Sequence, residues 1–319
     1  MTDLRFSPRG DGHGWREVAR DVLVRRNPVL DLNLTLVLGD RSCLIVDTDC
    51  HDGLARELVR VVRSRTVLPW VVVNTHAHFD HCFGNAVLAA EQPGLRIWAH
   101  RGCLTALTER GEEERRSGVA WMRTAGRPVD AAAVAAVTVT PPTDLVEAPS
   151  GADPLTERVL DLGDRHVVLR HAGRGHTDHD LVVLVPDAGV SVVGDLVEEG
   201  APPAFEDSYP LEWPETLDRL LPDLGDTVIP GHGQVIGSSH VVRQRDDLLA
   251  LADRARDLLA EVGTGTVRGD GTGTTRGDGD DTARHRSVEA RIAEAARGLR
   301  LDAEAAVTAL HRVLATGSG

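Results

Sequence analysis

Lysine is absent: all 35 basic side chains among the 319 residues are arginine. Any mechanism that needs a lysine is thereby excluded. Aromatic residues are scarce at 3%, with one Tyr, four Phe and five Trp. The group Phe205, Tyr209 and Trp213 is therefore conspicuous, either as a pocket wall or as core packing. Cysteine is limited to Cys43, Cys50, Cys82 and Cys103, with no C-x-x-C pair. A chain of this size needs no disulfide staples, so free thiols in a reducing cytoplasm are expected. Residues 1–30 carry Arg and Asp throughout, without an apolar stretch of signal-peptide length, and no run reaches the length of a membrane span. Positive charge is in deficit, and the net charge is −14. That balance disfavours nucleic acid and anionic membrane as partners. A hydrophobic content of 41% suffices for a real core. The expectation is a soluble cytoplasmic protein whose partner is a small molecule.

One stretch stands out from this background. The apolar run Val71, Val72, Val73 stops at Asn74 and Thr75, and His76, His78, Asp80 and His81 follow within six residues. The pattern is H-x-H-x-D-H. Imidazole with carboxylate is a zinc-type donor set. Continued strand alternation would send His76 and His78 the same way, and a turn would bring Asp80 and His81 round to them. The plainer alternative is a polar loop with incidental histidines.

Elsewhere the chain alternates strands and helices. Leu34–Leu38 and Cys43–Asp47 read as a hairpin, Asp52 as the cap of a helix through Arg63, and Leu68–Asn74 as the strand feeding the histidines. A short helix at Gly84–Glu91 and a strand at Arg96–His100 follow. Leu104–Met122 has helical composition, and Val129–Val139 is ambiguous between helix and strand. Strand signals resume at His166–His171, Leu181–Pro186, Ser191–Gly194 and Thr227–Ile229, with helices at Trp213–Leu221 and Ser238–Val262. Two β-rich halves with outer helices fit a layered α/β sandwich. The expected division is a domain over 1–262, a flexible Gly, Thr, Asp and Arg linker over 263–287, and a helical tail over 288–319. Ile292, Ala295, Ala296 and Leu299, or Val307, Leu310 and Leu314, form apolar stripes suited to docking or to a homo-oligomer.

Three later positions repeat the pattern of a ligand-type residue just past an apolar strand. They are His176 in Gly175-His176-Thr177, Asp195 after Val192-Val193-Gly194, and His232 in Gly231-His232-Gly233. Glycine beside such a residue permits a sharp bend and close approach. Singly, each has a structural explanation, as a turn histidine, a helix cap or a core histidine.

Together and in this order the motifs resemble the metallo-β-lactamase-fold hydrolase superfamily, over about residues 30–240. The resemblance implies a four-layer αβ/βα sandwich with two metals at one edge of the sheets. It implies His76, His78 and His176 on the first metal, Asp80, His81 and His232 on the second, and Asp195 bridging. Two zinc ions per chain are the implied cofactor, with iron or manganese as alternatives. Where several true β-lactamases of the family place a cysteine, this chain has Asp195, which resembles the glyoxalase II-like and general hydrolase branches. The lysine that those β-lactamases use for a substrate carboxylate is also missing.

The activity so implied is zinc-dependent hydrolysis by a metal-bridging hydroxide, on a small ester, thioester, lactone or amide-like substrate. Asp80 is the catalytic candidate, since a carboxylate oxygen beside the hydroxide can orient it or carry a proton. His179, Arg174 and Tyr209 are candidates for substrate contact. Two rival readings are a mono-iron sulfur dioxygenase-like enzyme and a non-catalytic metal-binding scaffold whose tail recruits a partner. Cys82, next to the cluster, is expected in the core.

Overall fold

The computed structural model describes residues 14–147, 156–265 and 288–316. The first of its two sheets runs in the order β1 (Trp15–Ala19), β2 (Val22–Asn27), β3 (Leu32–Leu38), β4 (Cys43–Val46), β5 (Trp70–Val73), β6 (Arg96–His100) and β7 (Asp144–Val146). Strands β1 to β4 are antiparallel and β4 to β7 parallel. The second sheet holds β8 (Thr156–Asp161), β9 (His166–His171), β10 (Val182–Val185), β11 (Val190–Gly194) and β12 (Thr227–Pro230), again as neighbours in chain order. Only its β11 and β12 are parallel.

Period-2 alternation explains the layering. In β4, Leu44 and Val46 face the second sheet, while Cys43 and Ile45 face helices. In β10, Val183 and Val185 face the first sheet, while Val182 and Leu184 face the opposite layer. Strands buried on both faces read as continuous apolar runs, as these do. Between the sheets Val22, Val37 and Val73 meet Val167, Leu169 and Val192. Outside the first sheet lie α1 (Asp52–Arg63), the four-residue α2 (Phe79–Cys82) and α3 (Asn85–Glu91). Then come α4 (Arg101–Thr124) and α5 (Pro128–Ala135). Outside the second lie α6 (Trp213–Leu220) and α7 (Ser238–Gly265), with Leu217, Leu248 and Leu251 in its core. This is the four-layer sandwich expected. None of the helices among the described residues is long and apolar enough to cross a membrane.

Several local expectations change. The cap of α1 is His51, whose Nδ1 accepts from the backbone N–H groups of Gly53 and Leu54, and not Asp52. Strands β1 and β2 occupy a stretch that reads as polar because Arg16, Glu17, Arg25 and Arg26 interrupt it, yet Trp15, Val22, Leu23 and Val24 are buried, and the Arg25 side chain is itself largely covered and paired with Glu57. The ambiguous Ala/Val-rich stretch is the helix α5. Pro128 pre-sets the backbone of its first turn, and Ala131 and Val134 are buried. In the tail, α8 (288–296) and α9 (Ala303–Thr316) pack on the second sheet's helices. Ile292, Ala309, Leu310 and Val313 are buried in one cluster with Leu248 and Leu251. Helix α7 extends three residues past the expected boundary at 262. From residue 266 on, the expected linker lies outside the described residues.

Candidate metal centre

Strand directions bring the candidate ligands to one edge. β4 and β5 are parallel, and so are β11 and β12. β9 and β11 both pair antiparallel with β10, so they too share a direction. The C-terminal ends of these strands carry Asp47, the histidine cluster, His176, Asp195 and His232. The strand conformation of β5 does not continue to His78: it ends at Val73, and 74–78 is a loop entering α2. Backbone contacts fix this loop instead. Thr75 N–H donates to Asp47 Oδ1 at 2.8 Å, Ala77 N–H to His179 Nε2 at 3.2 Å, and Phe79 N–H to Glu114 Oε1 at 2.9 Å. The single turn of α2 then swings Asp80 and His81 back toward His76. Two glycines are required by close approach. A Cβ at Gly231 would lie 1.8 Å from Asp195 Oδ1, and Gly194 turns β11 into Asp195 at φ +54°.

Two sets of donor atoms gather there, each within 4.8 Å: His76, His78, His176 and Asp195; and Asp80, His81 and His232. In the first, His78 Nδ1 lies 3.0 Å from both His76 Nε2 and His176 Nε2. In the second, His232 Nε2 lies 3.3 Å and His81 Nε2 3.7 Å from Asp80 Oδ2. Asp195 lies between them. Its Oδ2 is 3.7 Å from His76, 3.6 Å from His176 and 3.5 Å from His232, and its Oδ1 is 3.3 Å from His81.

The outer nitrogens decide what the inner ones present. His81 Nδ1 donates to Asp47 Oδ2 at 2.8 Å, and His232 Nδ1 to Leu30 O at 2.8 Å. His78 Nε2 donates to Asp207 Oδ2 at 3.1 Å. Thr75 Oγ1 gives its proton to Asp47 Oδ2 at 2.9 Å and accepts from His76 Nδ1 at 3.0 Å. A neutral imidazole that donates from one nitrogen offers a lone pair at the other. Four of the five rings therefore aim lone pairs inward. Imidazole nitrogens 3.0 Å apart without protons repel unless a cation lies among them. Tetrahedral coordination at zinc–ligand lengths near 2.0–2.2 Å separates ligands by roughly 3.3–3.6 Å, close to the observed spacings. His81 Nε2 and Asp195 Oδ1 are moreover buried without a hydrogen-bond partner. The donor chemistry and these orphaned atoms fit divalent metal ions.

Without a cation, the acidic neighbours favour protons on three of the rings. Against burial, Asp195 raises His81 and His232 well above the ordinary range, and Asp207 does the same at His78. Metal binding would displace those protons. Burial, and then neighbouring His81, push His76 well below the ordinary histidine range, so its ring is neutral. Burial opposes ionisation of Asp195, but His81, His232 and His76 hold its carboxyl well below the usual range. At His78 burial works against protonation, and the hydrogen bond and charge of Asp207 outweigh it, raising the group to about 10. A carboxylate behind an imidazole makes its other nitrogen a stronger donor to a metal.

The donors form the floor of a cleft of about 680 Å³, lined by His78, Asp80, His176, Asp195 and His232. His179 also lines it and, through Ala77, braces the loop that carries His76 and His78. Arg174 and Tyr209 are not among the lining residues. Arg174 is paired with Glu212, and its guanidinium lies 4.6 Å over the Tyr209 ring. Cys82 is buried in the core as expected. Sequence reasoning missed Asp47, Asp207 and the Leu30 carbonyl. Asp47 had a readable signal, since it too follows an apolar strand.

The metallo-beta-lactamase superfamily model matches residues 28–232, and the chain belongs to that superfamily. Among its relatives, a metallo-beta-lactamase type 2 from Bacillus cereus is 27% identical over 207 residues, which span 63% of this chain and 66% of the relative. A hydroxyacylglutathione hydrolase-like protein from Bos taurus is 37% identical over 92 residues, 28% of this chain and 47% of the relative. The fold is shared with a metallo-β-lactamase from Erythrobacter litoralis (TM-score 0.56, 18% identity, 73% of this chain and 94% of that one). It is shared as well with one from Pontibacter korlensis (TM-score 0.57, 16% identity, 73% and 97%).

Proposed function

We infer that this chain is a two-zinc hydrolase acting on a small ester, thioester, lactone or amide in the cytoplasm. The observation that carries the reading is Asp195, whose two oxygens lie within 3.7 Å of nitrogens from both donor sets at the floor of one cleft. His76, His78 and His176 would hold one ion, and Asp80, His81 and His232 the other. When bound, such ions supply Lewis acidity and an ionised water at neutral pH. Hydrolysis would join a water oxygen to the acyl carbon, break the bond to the leaving oxygen, sulfur or nitrogen, and require a proton for the leaving group. Asp80 faces the cleft, where its carboxylate can orient the water and carry that proton. His179 keeps the ligand loop in position. Asp47, Thr75, Asp207 and the Leu30 carbonyl keep each ring in the tautomer that points a lone pair inward. The second donor set would have no use in a one-iron oxygenase, which favours the hydrolase. Four buried free cysteines suit a reducing compartment.

The test is a panel of acetate esters, thioesters, lactones and β-lactams, assayed before and after chelation and again after zinc is restored. Turnover that disappears with the metal and returns with it, in the wild type but not in Asp80→Asn, is the expected result. No turnover across the panel, or turnover indifferent to chelation, would overturn the reading.

A further inference from the structure

The cleft wall above the donors has its own chemistry. Apart from Asp80 and Asp195, it is lined by seven carboxylates and one cation, Arg110. Some of the seven have partners: Asp31 pairs with Arg26, and Asp207 receives His78 Nε2. Glu198 is different. It is 7% exposed and lines the cleft, and its carboxylate has no hydrogen-bond or ion-pair partner among the described residues. Its backbone is pinned from behind, with N–H on Gln244 Oε1 at 2.9 Å and O accepting from His240 Nε2 at 2.9 Å. The side chain is thus held by its main chain, and burial, with Asp195 nearby, raises its carboxyl well above the ordinary range, which favours the neutral form while no cation is near. A buried carboxylate without a partner is costly, and a cation arriving in the cleft would relieve that cost.

The opposite chemistry completes the wall. Phe79 and Trp121 line the same cleft with ring centroids 6.4 Å apart, and Trp121 is 51% exposed although most large apolar groups here are buried. Aromatic faces beside carboxylates are what an alkylated ammonium group binds. Two divalent ions held by two carboxylates add positive charge at the floor, and the wall's carboxylates still outnumber it. A substrate carboxylate would meet that wall with only Arg110 to receive it.

We propose that the cleft selects hydrolysable substrates carrying an ammonium or alkylammonium group, with Glu198 as its anchor and Trp121 as its aromatic face, and rejects substrates carrying a carboxylate. The proposal rests on the hydrolase reading for the word substrate, and on the cleft alone for the preference of charge.

The experiment separates the two. The zinc-loaded full chain is titrated with choline, with its uncharged isostere 3,3-dimethylbutan-1-ol, and with 4-hydroxybutanoate. Choline should bind about tenfold or more tighter than the isostere, the advantage should shrink as salt rises, and 4-hydroxybutanoate should bind most weakly. Glu198→Gln should bring choline close to the isostere, and Trp121→Ala, at an exposed position, should reduce choline binding in a chain that still folds. Acetate esters of the first two alcohols should show the same ranking in kcat/KM. Equal binding of choline and its isostere by the wild type, or tighter binding of 4-hydroxybutanoate, would overturn the charge selection. Choline binding that keeps its full advantage in a folded Glu198→Gln chain would remove Glu198 as the anchor. A clear preference in binding with no turnover of these esters or of the thioester, lactone and β-lactam panel would leave the selection standing and reject the hydrolase reading.

Discussion

Asp47→Asn should weaken metal binding at the Asp80, His81 and His232 set by about 10- to 100-fold, with the other set and the fold left intact. Asp47 is 1% exposed and sits at φ 64°, a backbone region that Asn tolerates. Its Oδ1 accepts from Thr75 N–H, so the amide of Asn must present its oxygen there. The NH2 group then faces His81 Nδ1, where Asp47 Oδ2 accepts at 2.8 Å in the wild type. Two donors cannot share that contact. The imidazole must move its proton to Nε2, and the lone pair that faces Asp195 and Asp80 is lost. Thr75 Oγ1 still accepts from His76 Nδ1, which is why the first set should survive. The loss corresponds to about 1.4–2.8 kcal/mol of binding free energy. Competition with a coloured chelator, resolved into two binding steps, reads it directly, and circular dichroism checks the fold. Unchanged affinity at both sets, or an equal loss at both, would refute the tautomer argument.

Three further outcomes follow from the same contacts. Arg312 of α9 donates to the Ser208 and Asp207 carbonyls at 3.0 and 3.1 Å, beside the carboxylate that holds His78; Arg312→Ala should weaken the first metal by up to about tenfold in the same competition and spare the second. Cys82 donates to the His78 carbonyl at 3.2 Å, and burial pushes its thiol well above the ordinary range. Cys82→Ser should keep metal content and turnover, and thiol reagents should modify Cys82 only on unfolding. Burial, and then the stacked ring of His171 at 4.2 Å, hold His100 at about 3, whereas in the unfolded chain it titrates near 6.5. Between those values the unfolded chain binds the extra proton, so this contribution to stability falls as pH falls from 6.5 toward 3. His100→Asn keeps a cap for Gly102 N–H and removes the titration. Urea unfolding at pH 7 and pH 4 should show the variant losing about 3 kcal/mol less than the wild type.

The seven ligand candidates were legible because each follows an apolar strand, and parallel strands deliver their ends to one edge. Asp47 obeys the same rule, but its strand Cys43–Val46 reads first as half of a hairpin, which hides the residue that ends it. The partner of His232 is the carbonyl of Leu30, and a backbone acceptor leaves no trace in residue type. Asp207 and Glu198 lie in the irregular stretch between β11 and α6, where no periodicity assigns a side to a residue. Arg174 reads as a free cation beside the candidate ligand His176, and only the fold brings Glu212 and Tyr209 against it. The first two strands were missed because Arg16, Glu17, Arg25 and Arg26 break their apolar pattern, and only the fold shows Arg25 covered against Glu57.

Crystals of zinc-loaded protein, measured on both sides of the zinc absorption edge, test the central claim most directly. Two anomalous peaks are predicted, one within the donors of His76, His78 and His176 and one within those of Asp80, His81 and His232, with Asp195 between them. A single peak, or peaks away from these side chains, would contradict the account.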